Sequence, residues 1–288
     1  MDTLVGFIVL NYKTFEDTIT LVNEILGFTS PLLANSKIII VDNCSPNDSY
    51  QILLNSFVNI QAVDVIKAPN NGGYAKGNNI GLRYIKKYNP HFVCILNNDV
   101  HFVAETIIQL IQDIETYDKV GAIAPKQVLP NGEEVQFANS KLESFKDDLR
   151  GFVLTLPPKI NDNKDDAVIG GRIKKVGFVP GAFVFMKYEI AEGIGFFDES
   201  TFLFGEERFL AKRLEKEGLG CYIDIKTSYT HAHSKTINGE LTYKQRRMLM
   251  LESRLMYIER YYRFGRIKSF ILGLLGGAVI NMKSLYKH

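Results

Sequence analysis

The sequence predicts an α/β fold with a mostly parallel central sheet that is flanked by helices. Two observations lead to this prediction. Short apolar, β-branched runs alternate with helix-length amphipathic stretches through roughly the first 125 residues. Several of these runs also end directly at a polar residue, which is expected where parallel strands reach the edge of the sheet that binds ligands.

The individual elements follow from this alternation. The predicted strands of the first part are residues 5–10, 38–41, 62–66, 92–96 and 122–124, the last of them ended by Pro125. The helical patterns between them cover about residues 14–28, 47–57, 74–88 and 103–116. Further along, the patterns predict a strand at 183–186, a helix at 206–217, a strand at 221–225 and a long helix at 240–263.

Residues 131–175 have a different character. They are rich in Asn, Asp, Lys and Gly and show few periodic apolar positions. We expect an irregular insertion or mobile loop here, and not a separate domain.

Composition narrows the class of protein. Hydrophobic residues make up 46% and charged residues 23% of the 288 residues, a globular balance. A net charge of +2 without a basic stripe argues against a nucleic-acid partner. The three cysteines, Cys44, Cys94 and Cys221, have no metal-binding spacing and form no disulfide framework. With no apparent secretory signal at the N-terminus, we expect a cytoplasmic protein.

Three polar residues, Asn11, Asp42 and Asp99, follow predicted strands and should meet at one edge of the sheet. The Asp42 carboxylate could accept hydrogen bonds from a nucleotide base or ribose, or could instead cap the next helix. Asp99 lies too far before the helix near Val103 to cap it, and a single carboxylate suffices to hold a cation that bridges two phosphates.

Two further segments carry chemical groups. A glycine-rich stretch at 70–81 opens a helix, where it either receives a phosphate or simply forms a tight turn. Glu206 and Glu207 are predicted to begin another helix. One of them could act as a general base, or both could simply be favourable negative charges at a helix N-terminus. His231 and His233 lie two residues apart on an extended segment, where they either bind a metal or phosphate or remain surface residues.

The order of these motifs is more specific than any one of them. LNY at 10–12 is followed by VDNCSPNDS at 41–49, NNGGYAKGNN at 70–79, LNNDV at 96–100, FLFGEERFLAKRL at 202–214 and THAHSKT at 230–236. Over roughly residues 4–236 this series resembles glycosyltransferase family 2, and most closely its rhamnosyltransferase-like members that build bacterial surface polysaccharides. The resemblance implies a GT-A (Rossmann-like) fold, a divalent metal (Mn²⁺ or Mg²⁺) and an inverting mechanism.

The resemblance also assigns roles to residues. Asp42 would contact the base or ribose, beside the other nucleotide- and donor-binding residues Leu10, Asn11, Tyr12, Asn71, Gly72, Gly73, Asn78, Asn97 and Asn98. Asp99 would be the last residue of a DxD-type metal motif, with His231 as a second ligand, although Asn97 stands where many relatives carry the first Asp. Glu207 would be the base, where relatives often have Asp, and Glu206, His233 and Asp198 are additional candidates.

The domain division implied in this way is a GT-A domain at 1–236 and a C-terminal helical extension at 237–288. Residues 1–125 would bind the nucleotide sugar, and residues 126–236 would bind the acceptor and catalyse transfer. The donor would be a nucleotide-diphosphate sugar, such as dTDP-L-rhamnose or a UDP-hexose, and the acceptor a glycan or lipid-linked glycan. The alternatives are a nucleotidyltransferase that acts on a sugar phosphate and a catalytically inactive, membrane-associated scaffold of the same fold.

The C-terminal stretch 266–288 is apolar in its centre and basic at both ends. Its uncharged run is shorter than the ~20 residues that span a bilayer. It predicts either an interfacial helix at the inner face of the plasma membrane, or a helix that packs on the core or in a homodimer interface.

Overall fold

The computed structural model describes residues 4–135, 142, 144–154, 168–231, 241–262 and 265–284. Its first part alternates strands and helices as the sequence predicts. The strands are β1 (Val5–Asn11), β2 (Lys37–Asp42), β3 (Val63–Lys67), β4 (Phe92–Asn97), β5 (Val100–His101) and β6 (Val120–Val128). The helices are α1 (Phe15–Leu26), α2 (Ser49–Phe57), α3 (Gly73–Ile85) and α4 (Ala104–Thr116), with short 3₁₀ turns at Pro31–Leu33 and Lys86–Tyr88.

The second part adds strands and helices to the same sheet. The strands are β7 (Val168–Ile169), β8 (Ile173–Val176), β9 (Phe183–Lys187) and β10 (Gly220–His231). The helices are α5 (Phe145–Leu154), α6 (Tyr188–Gly193), α7 (Glu206–Lys216), α8 (Tyr243–Tyr261) and α9 (Arg266–Ser284).

The sheet has the order β3-β2-β1-β4-β9-β6-β10-β8-β7, with β5 paired to the end of β10. Strands β3, β2, β1 and β4 are parallel, and β9 lies antiparallel between β4 and β6. β1, β2 and β4 are almost entirely buried, because helices cover the sheet. The predicted α/β class with a mostly parallel centre is therefore confirmed.

One predicted strand end is wrong. The sequence analysis ended the fifth strand at Pro125, but β6 continues through it to Val128. Pro125 pairs with Asp224 of β10, and the register is irregular between Asp224 and Ser228. Because an irregularity of this kind interrupts the ladder, the missing N–H of a proline is tolerated there.

The expectation of an irregular loop at 131–175 is also wrong for the described part of that segment. It contains α5 and a hairpin of β7 and β8, whose turn uses Gly170 and Gly171 at positive φ. Within this polar stretch the buried side chains of β8 are Ile173 and Val176, too few to give a clear period in the sequence. Arg172 attaches the hairpin to buried acids by ion pairs of 3.2 Å to Asp113 and 2.8 Å to Asp224.

The C-terminal helices form a second, smaller apolar cluster. The predicted helix at 240–263 is α8, which begins at a capping box between Thr242 and Gln245. α9 packs its inner face, including Leu272 and Ile280, against Leu251 and Ile258 of α8. None of the helices in the described ranges combines the length and apolarity that crossing a bilayer requires.

Candidate active site

A cavity of about 330 Å³ opens at the carboxyl ends of β1, β2 and β4, where the sequence analysis expected polar residues to meet. Its volume falls in the range of small-molecule sites, roughly 300–1,000 Å³. We call it the donor cavity. Its polar lining and its strand-end residues are Leu10, Tyr12, Asn43, Asn71, Gly73, Asn97, Asn98 and Asp99.

Asp42 and Asn11 lie behind this lining and not in it. Both are 0% exposed, and the Asp42 carboxylate accepts hydrogen bonds from Asn11 Nδ2 at 2.8 Å and Ser45 Oγ at 2.6 Å. Asn11 Oδ1 in turn accepts from Thr18 Oγ1 at 2.9 Å, and Asn98 Nδ2 donates to Thr18 Oγ1 at 2.9 Å. Asp42 and Asn11 thus belong to a buried hydrogen-bond network that positions Asn98, and their contact with a nucleotide stays a prediction.

The glycine-rich loop is held by backbone contacts. Gly73 has φ +84°, and a Cβ atom there would lie 1.9 Å from the carbonyl oxygen of Phe202, so only glycine fits. The next N–H, of Tyr74, donates to the same Phe202 oxygen at 3.0 Å. Two other predicted residues of this region do not line the cavity: Gly72 is the N-cap of α3, and Asn78 is buried and donates to the Tyr74 carbonyl.

Asn43 lines the donor cavity although the sequence analysis did not select it. Its Nδ2 donates to Asn71 Oδ1 at 3.0 Å and to the Gly73 carbonyl at 3.2 Å, which joins the end of β2 to the glycine-rich loop. The available signal was its position directly after Asp42. Because neighbouring residues at a strand end point in opposite directions, a buried Asp42 places Asn43 at the ligand.

Asp99 and His231 are brought together by the length of β10. That strand continues to His231 and pairs it with Val100 of β5, whereas the sequence analysis ended the strand at 225. Asp99 Oδ1 lies 3.0 Å from His231 Nε2, and each side chain is 12% exposed. His233, the other predicted histidine, lies outside the described residues.

A second layer holds the imidazole of His231. Its Nδ1 is 3.5 Å from Gln127 Nε2, and the phenol of Tyr229 donates to Gln127 Oε1 at 3.2 Å. Burial, and then the charge of Asp99, raises the pKa of Tyr229, which therefore remains a hydrogen-bond donor. Gln127 and Tyr229 had no motif by which sequence analysis could have selected them.

The Asp99–His231 pair fits a divalent cation. Asp99 Oδ1 and His231 Nε2 are 3.0 Å apart, and a carboxylate oxygen and an imidazole nitrogen are both groups that could hold such a cation together. The side chain of Asn97 lines the same cavity. Cations that bridge phosphates are commonly held by one or two protein ligands, with substrate oxygens and water completing the shell. Within the described residues no group of three or more His, Cys, Asp and Glu side chains has metal-binding geometry.

Glu206 and Glu207 begin α7 after two residues of left-handed backbone, Phe204 at φ +71° and Gly205 at φ +87°. A non-glycine residue in this region is strained, and such strain is concentrated at functional sites. Glu207 also packs against Gly181, where a Cβ atom would lie 2.7 Å from Glu207 Oε1. The backbone therefore has unfavourable φ angles at the two residues that position the Glu207 carboxyl.

The two carboxyl groups differ in their surroundings. Burial, and then the neighbouring Glu207, raises the pKa of Glu206 well above its ordinary value. Burial also raises the pKa of Glu207, but its carboxylate accepts backbone hydrogen bonds, including those from Gly181 and Gly205, which favour the charged form. Burial thus opposes ionisation of both groups, and the backbone hydrogen bonds make the charged form more favourable at Glu207 than at Glu206.

Glu207 lines a second cavity, of about 200 Å³, between α7, α8 and α9. We call it the helical cavity. Residues 202–205 separate it from the donor cavity, because Phe202 and Leu203 line one side and Phe204 and Gly205 the other. Ser253 of α8 supports this wall by donating to the Leu203 carbonyl at 3.3 Å.

Tyr74 lies between the donor cavity and the two glutamates. It lines the donor cavity, and its hydroxyl donates to the Gly181 carbonyl at 2.5 Å. Burial, followed by the nearby carboxyls of Glu206 and Glu207, raises the pKa of Tyr74. Both glutamates are thus close to the donor cavity, although Glu207 is reached from the other side.

Asp198, a further predicted candidate, forms ion pairs that join two helices. Its carboxylate accepts from Arg213 at 2.9 Å and also from Arg260, and so fastens α8 to α7. It lines neither cavity.

The fold and the site define a class: a GT-A α/β protein with a ligand cavity at its parallel strand ends. Residues 10–173, more than half of the chain, match Glycosyl transferase family 2, and the chain belongs to that family. It is similar to the low-salt glycan biosynthesis hexosyltransferase Agl10 of Haloferax volcanii, with 25% identity over 218 residues. That match covers 74% of this chain and 62% of Agl10, so the chain spans less than two thirds of this curated relative.

Solved structures agree on the fold. GalNAc-T7 with UDP, GalNAc and Mn²⁺ has a TM-score of 0.64 at 11% identity, covering 91% of this chain and 49% of its own. The mannosyltransferase PcManGT of Pyrobaculum calidifontis, with GDP-Man and Mn²⁺, has a TM-score of 0.60 at 13% identity, covering 99% and 75%. TarS 1–349 of S. aureus with UDP-GlcNAc has a TM-score of 0.59 at 15% identity, covering 90% and 67%.

Proposed function

We propose that this protein is an inverting glycosyltransferase that moves a sugar from a nucleotide-diphosphate donor onto an acceptor hydroxyl. The observation that carries the proposal is the Asp99–His231 pair, 3.0 Å apart, of which Asp99 lines the cavity at the parallel strand ends. Family membership supports it, and it disfavours the nucleotidyltransferase alternative.

The donor would occupy the donor cavity. Asn43 and Asn71 line this cavity and would offer amide groups to the nucleotide. Asp99 and His231 would hold the divalent cation, Mn²⁺ or Mg²⁺. When bound, such a cation neutralises the charge that develops on the leaving diphosphate. In support, GalNAc-T7 and PcManGT have been solved with Mn²⁺ and a nucleotide.

Glu207 would act as the base. Its carboxyl lies against Gly181, whose carbonyl accepts a hydrogen bond from the Tyr74 hydroxyl at the donor cavity. Its carboxylate accepts the proton of the acceptor hydroxyl, and the hydroxyl oxygen attacks the anomeric carbon. The bond from that carbon to the diphosphate oxygen breaks, and the electron pair leaves with the nucleotide diphosphate. Because attack and departure are on opposite faces, the configuration inverts. Burial and the charge of Glu207 disfavour ionisation of Glu206 beside it.

The transferred sugar is proposed to be a hexose, because Agl10 is a glycan biosynthesis hexosyltransferase. L-Rhamnose from dTDP-rhamnose is the second candidate for the transferred sugar. A UDP-sugar donor is supported by the structures of GalNAc-T7 with UDP and of TarS with UDP-GlcNAc. The acceptor is proposed to be a glycan or lipid-linked glycan.

We also propose a location at the inner face of the plasma membrane. α9 exposes apolar side chains, among them Ile267 at 79% and Phe270 at 67%, and has basic residues near both ends. This pattern is typical of a helix that lies in a membrane interface. A homodimer through the same face is the competing occupant.

The experiment that tests the proposal is calorimetric binding of UDP, dTDP and GDP, with and without Mn²⁺, to the wild type and to Asp99→Ala. We expect one nucleotide to bind in a metal-dependent manner and the variant to lose that binding. The matched control is Glu24→Ala, which removes a carboxylate that pairs with a histidine at 2.9 Å but lies outside the donor cavity. It should bind like the wild type. If no nucleotide binds in the presence of metal, the inactive scaffold becomes the better description.

A further inference from the structure

Tyr74, the second residue of α3, is held at its backbone, its ring and its hydroxyl. Its N–H donates to the Phe202 carbonyl at 3.0 Å, and its ring packs edge-to-face on Phe197 at 5.6 Å. Its hydroxyl donates to the Gly181 carbonyl at 2.5 Å. The side chain is buried and still lines the donor cavity. One residue of the glycine-rich segment therefore joins the donor cavity to two segments that are distant in the sequence.

Both of these segments reach Glu207. Residues 202–205 lead directly into α7, of which Glu207 is the second residue. Gly181 lies against the Glu207 carboxyl, because a Cβ atom at Gly181 would be 2.7 Å from Glu207 Oε1. The backbone N–H of Gly181 donates a hydrogen bond to that carboxylate. Tyr74 thus holds the carbonyl of the same residue whose N–H holds the proposed base.

Gly181 needs a contact of this kind to keep its orientation. A glycine has more accessible φ and ψ values than other residues, so its N–H keeps one direction only where neighbouring contacts fix it. The N–H of Phe183 donates to the Pro180 carbonyl at 3.2 Å and closes the turn around Gly181. The Tyr74 hydroxyl fixes the carbonyl of Gly181 itself. Loss of that hydroxyl would loosen the N–H that faces Glu207, and a carboxylate that loses a hydrogen-bond donor is harder to ionise.

The surroundings of Glu207 make each donor important. Burial raises the pKa of Glu207, and its backbone hydrogen bonds act in the opposite direction. Burial, and then the two glutamates, raises the pKa of Tyr74, so its hydroxyl remains a donor. In the described part of the chain, the other titratable or charged groups near this carboxyl are Glu206 and Arg208 of α7 and Arg247, Arg254 and Tyr257 of α8.

We infer that Tyr74 is a positioning residue for Glu207, which it holds from the donor cavity through Gly181 and the 202–205 wall. This inference rests on the proposed function, because it concerns the base of the same reaction. Tyr74 takes up no proton in this role, since its hydroxyl is bonded to the Gly181 carbonyl. The residue that lines the donor cavity also holds the backbone around the base, which keeps donor and base in a fixed relation.

The test is the titration of Glu207 in the full chain, followed by the infrared absorption of its carboxyl. All proteins carry Glu206→Gln, so that the neighbouring carboxyl adds no band. The spectrum of the same protein with Glu207→Gln is subtracted. We expect Tyr74→Phe to lower the acid dissociation constant of Glu207 about two- to tenfold, which corresponds to one hydrogen bond. The midpoint of the titration therefore moves to higher pH.

Tyr188→Phe is the matched control. It removes another buried hydroxyl that donates to a backbone carbonyl of α3, that of Leu82 at 3.3 Å, and Tyr188 lines neither cavity. The titration of Glu207 should be unchanged in this control. An unchanged midpoint in Tyr74→Phe would overturn the inference, as would an equal shift in Tyr188→Phe.

Gly181→Ala provides a second test if Tyr74→Phe does not fold. The added methyl group would push Glu207 Oε1 away from the N–H of residue 181, so the midpoint should again move to higher pH. No movement would contradict the inference. Nucleotide binding at the donor cavity, measured on the same samples, reports folding and tests the proposed function separately. Its absence in the wild type would count against the proposed function, whereas the titration decides whether Tyr74 controls Glu207.

Discussion

The carboxyl groups of Glu206 and Glu207 are adjacent in the sequence but lie in different surroundings in the folded protein. Glu206 is 4% exposed, and burial together with the charge of Glu207 raises its pKa well above 4.5. Glu207 faces the helical cavity and accepts backbone hydrogen bonds. Two neighbouring carboxyls whose surroundings separate their pKa values are a common way to obtain one neutral and one charged group.

A substitution at each position separates these roles. We expect Glu207→Gln to lower the rate of sugar transfer by about 10²- to 10⁴-fold, because the amide cannot accept the proton. Glu206→Gln is the matched control, and its loss should be much smaller because Glu206 does not line the helical cavity. Nucleotide binding should persist in both. Loss of nucleotide binding in Glu207→Gln would contradict its role as the base.

The pH dependence of the rate of sugar transfer is a second test of the assignment of Glu207 as the base. Because the pKa of Glu207 is raised above 4.5, the group becomes protonated, and the rate falls, as the pH drops through that higher value. The acidic limb of the kcat/KM profile should therefore lie above pH 4.5. A limb at or below the ordinary glutamate value would show that another group accepts the proton.

At the scale of elements, α5 is attached to the start of α7 by a buried ion pair. Arg208 follows Glu207 directly, forms the bidentate pair with Asp148 of α5 and lies 4.2 Å from the ring centre of Tyr257. Tyr257 belongs to α8 and packs edge-to-face on Phe209 at 5.3 Å. Three helices thus meet at one buried guanidinium.

We expect Asp148→Asn to lower the free energy of unfolding by about 3–5 kcal/mol, because it removes one partner of the buried ion pair with Arg208. Urea unfolding followed by circular dichroism measures this loss. Glu215→Gln is the control on α7, since it breaks an exposed pair with Lys212 in which the Glu215 side chain is 60% exposed. Exposed pairs contribute about 0–1 kcal/mol. Similar losses for the two variants would mean that the Asp148–Arg208 pair does not stabilise the meeting of these helices.

At the scale of the whole molecule, the three functional surfaces follow one another. The donor cavity lies at the strand ends, the helical cavity lies behind the 202–205 wall, and the outer face of α9 lies beyond the helical cavity.

Membrane attachment can be tested on that outer face. We expect Leu274→Ser with Leu275→Ser to weaken binding to phosphatidylglycerol vesicles about tenfold or more, because each leucine loses apolar contact with lipid. Co-sedimentation measures the bound fraction. Val58→Ser is the control, since Val58 is 69% exposed and lies at the end of α2. Unchanged vesicle binding, combined with dissociation of a dimer by the same double substitution, would assign this face to a homodimer.

The sequence alone determined the fold class and the order of the strands along the chain, because burial of a parallel sheet imposes apolar runs with polar residues at their ends. It also placed Asp99 and Glu207 at the ends of elements, where local patterns identify them. The helix and hairpin within 131–175 were missed because they have few apolar positions. They are held in place by ion pairs with distant residues: Asp148 pairs with Arg208, and Arg172 pairs with Asp224.

Only the tertiary structure decided which of the polar residues face a ligand. Pairing of β10 with β5 brings His231 to 3.0 Å from Asp99 across more than a hundred residues, whereas Asp42 is buried behind its neighbour Asn43. It also placed Glu207 in a cavity separate from Asp99, with arginines of a helix that follows much later in the chain. Such features depend on the register of strands and the packing of helices, which are set by contacts between residues far apart in sequence.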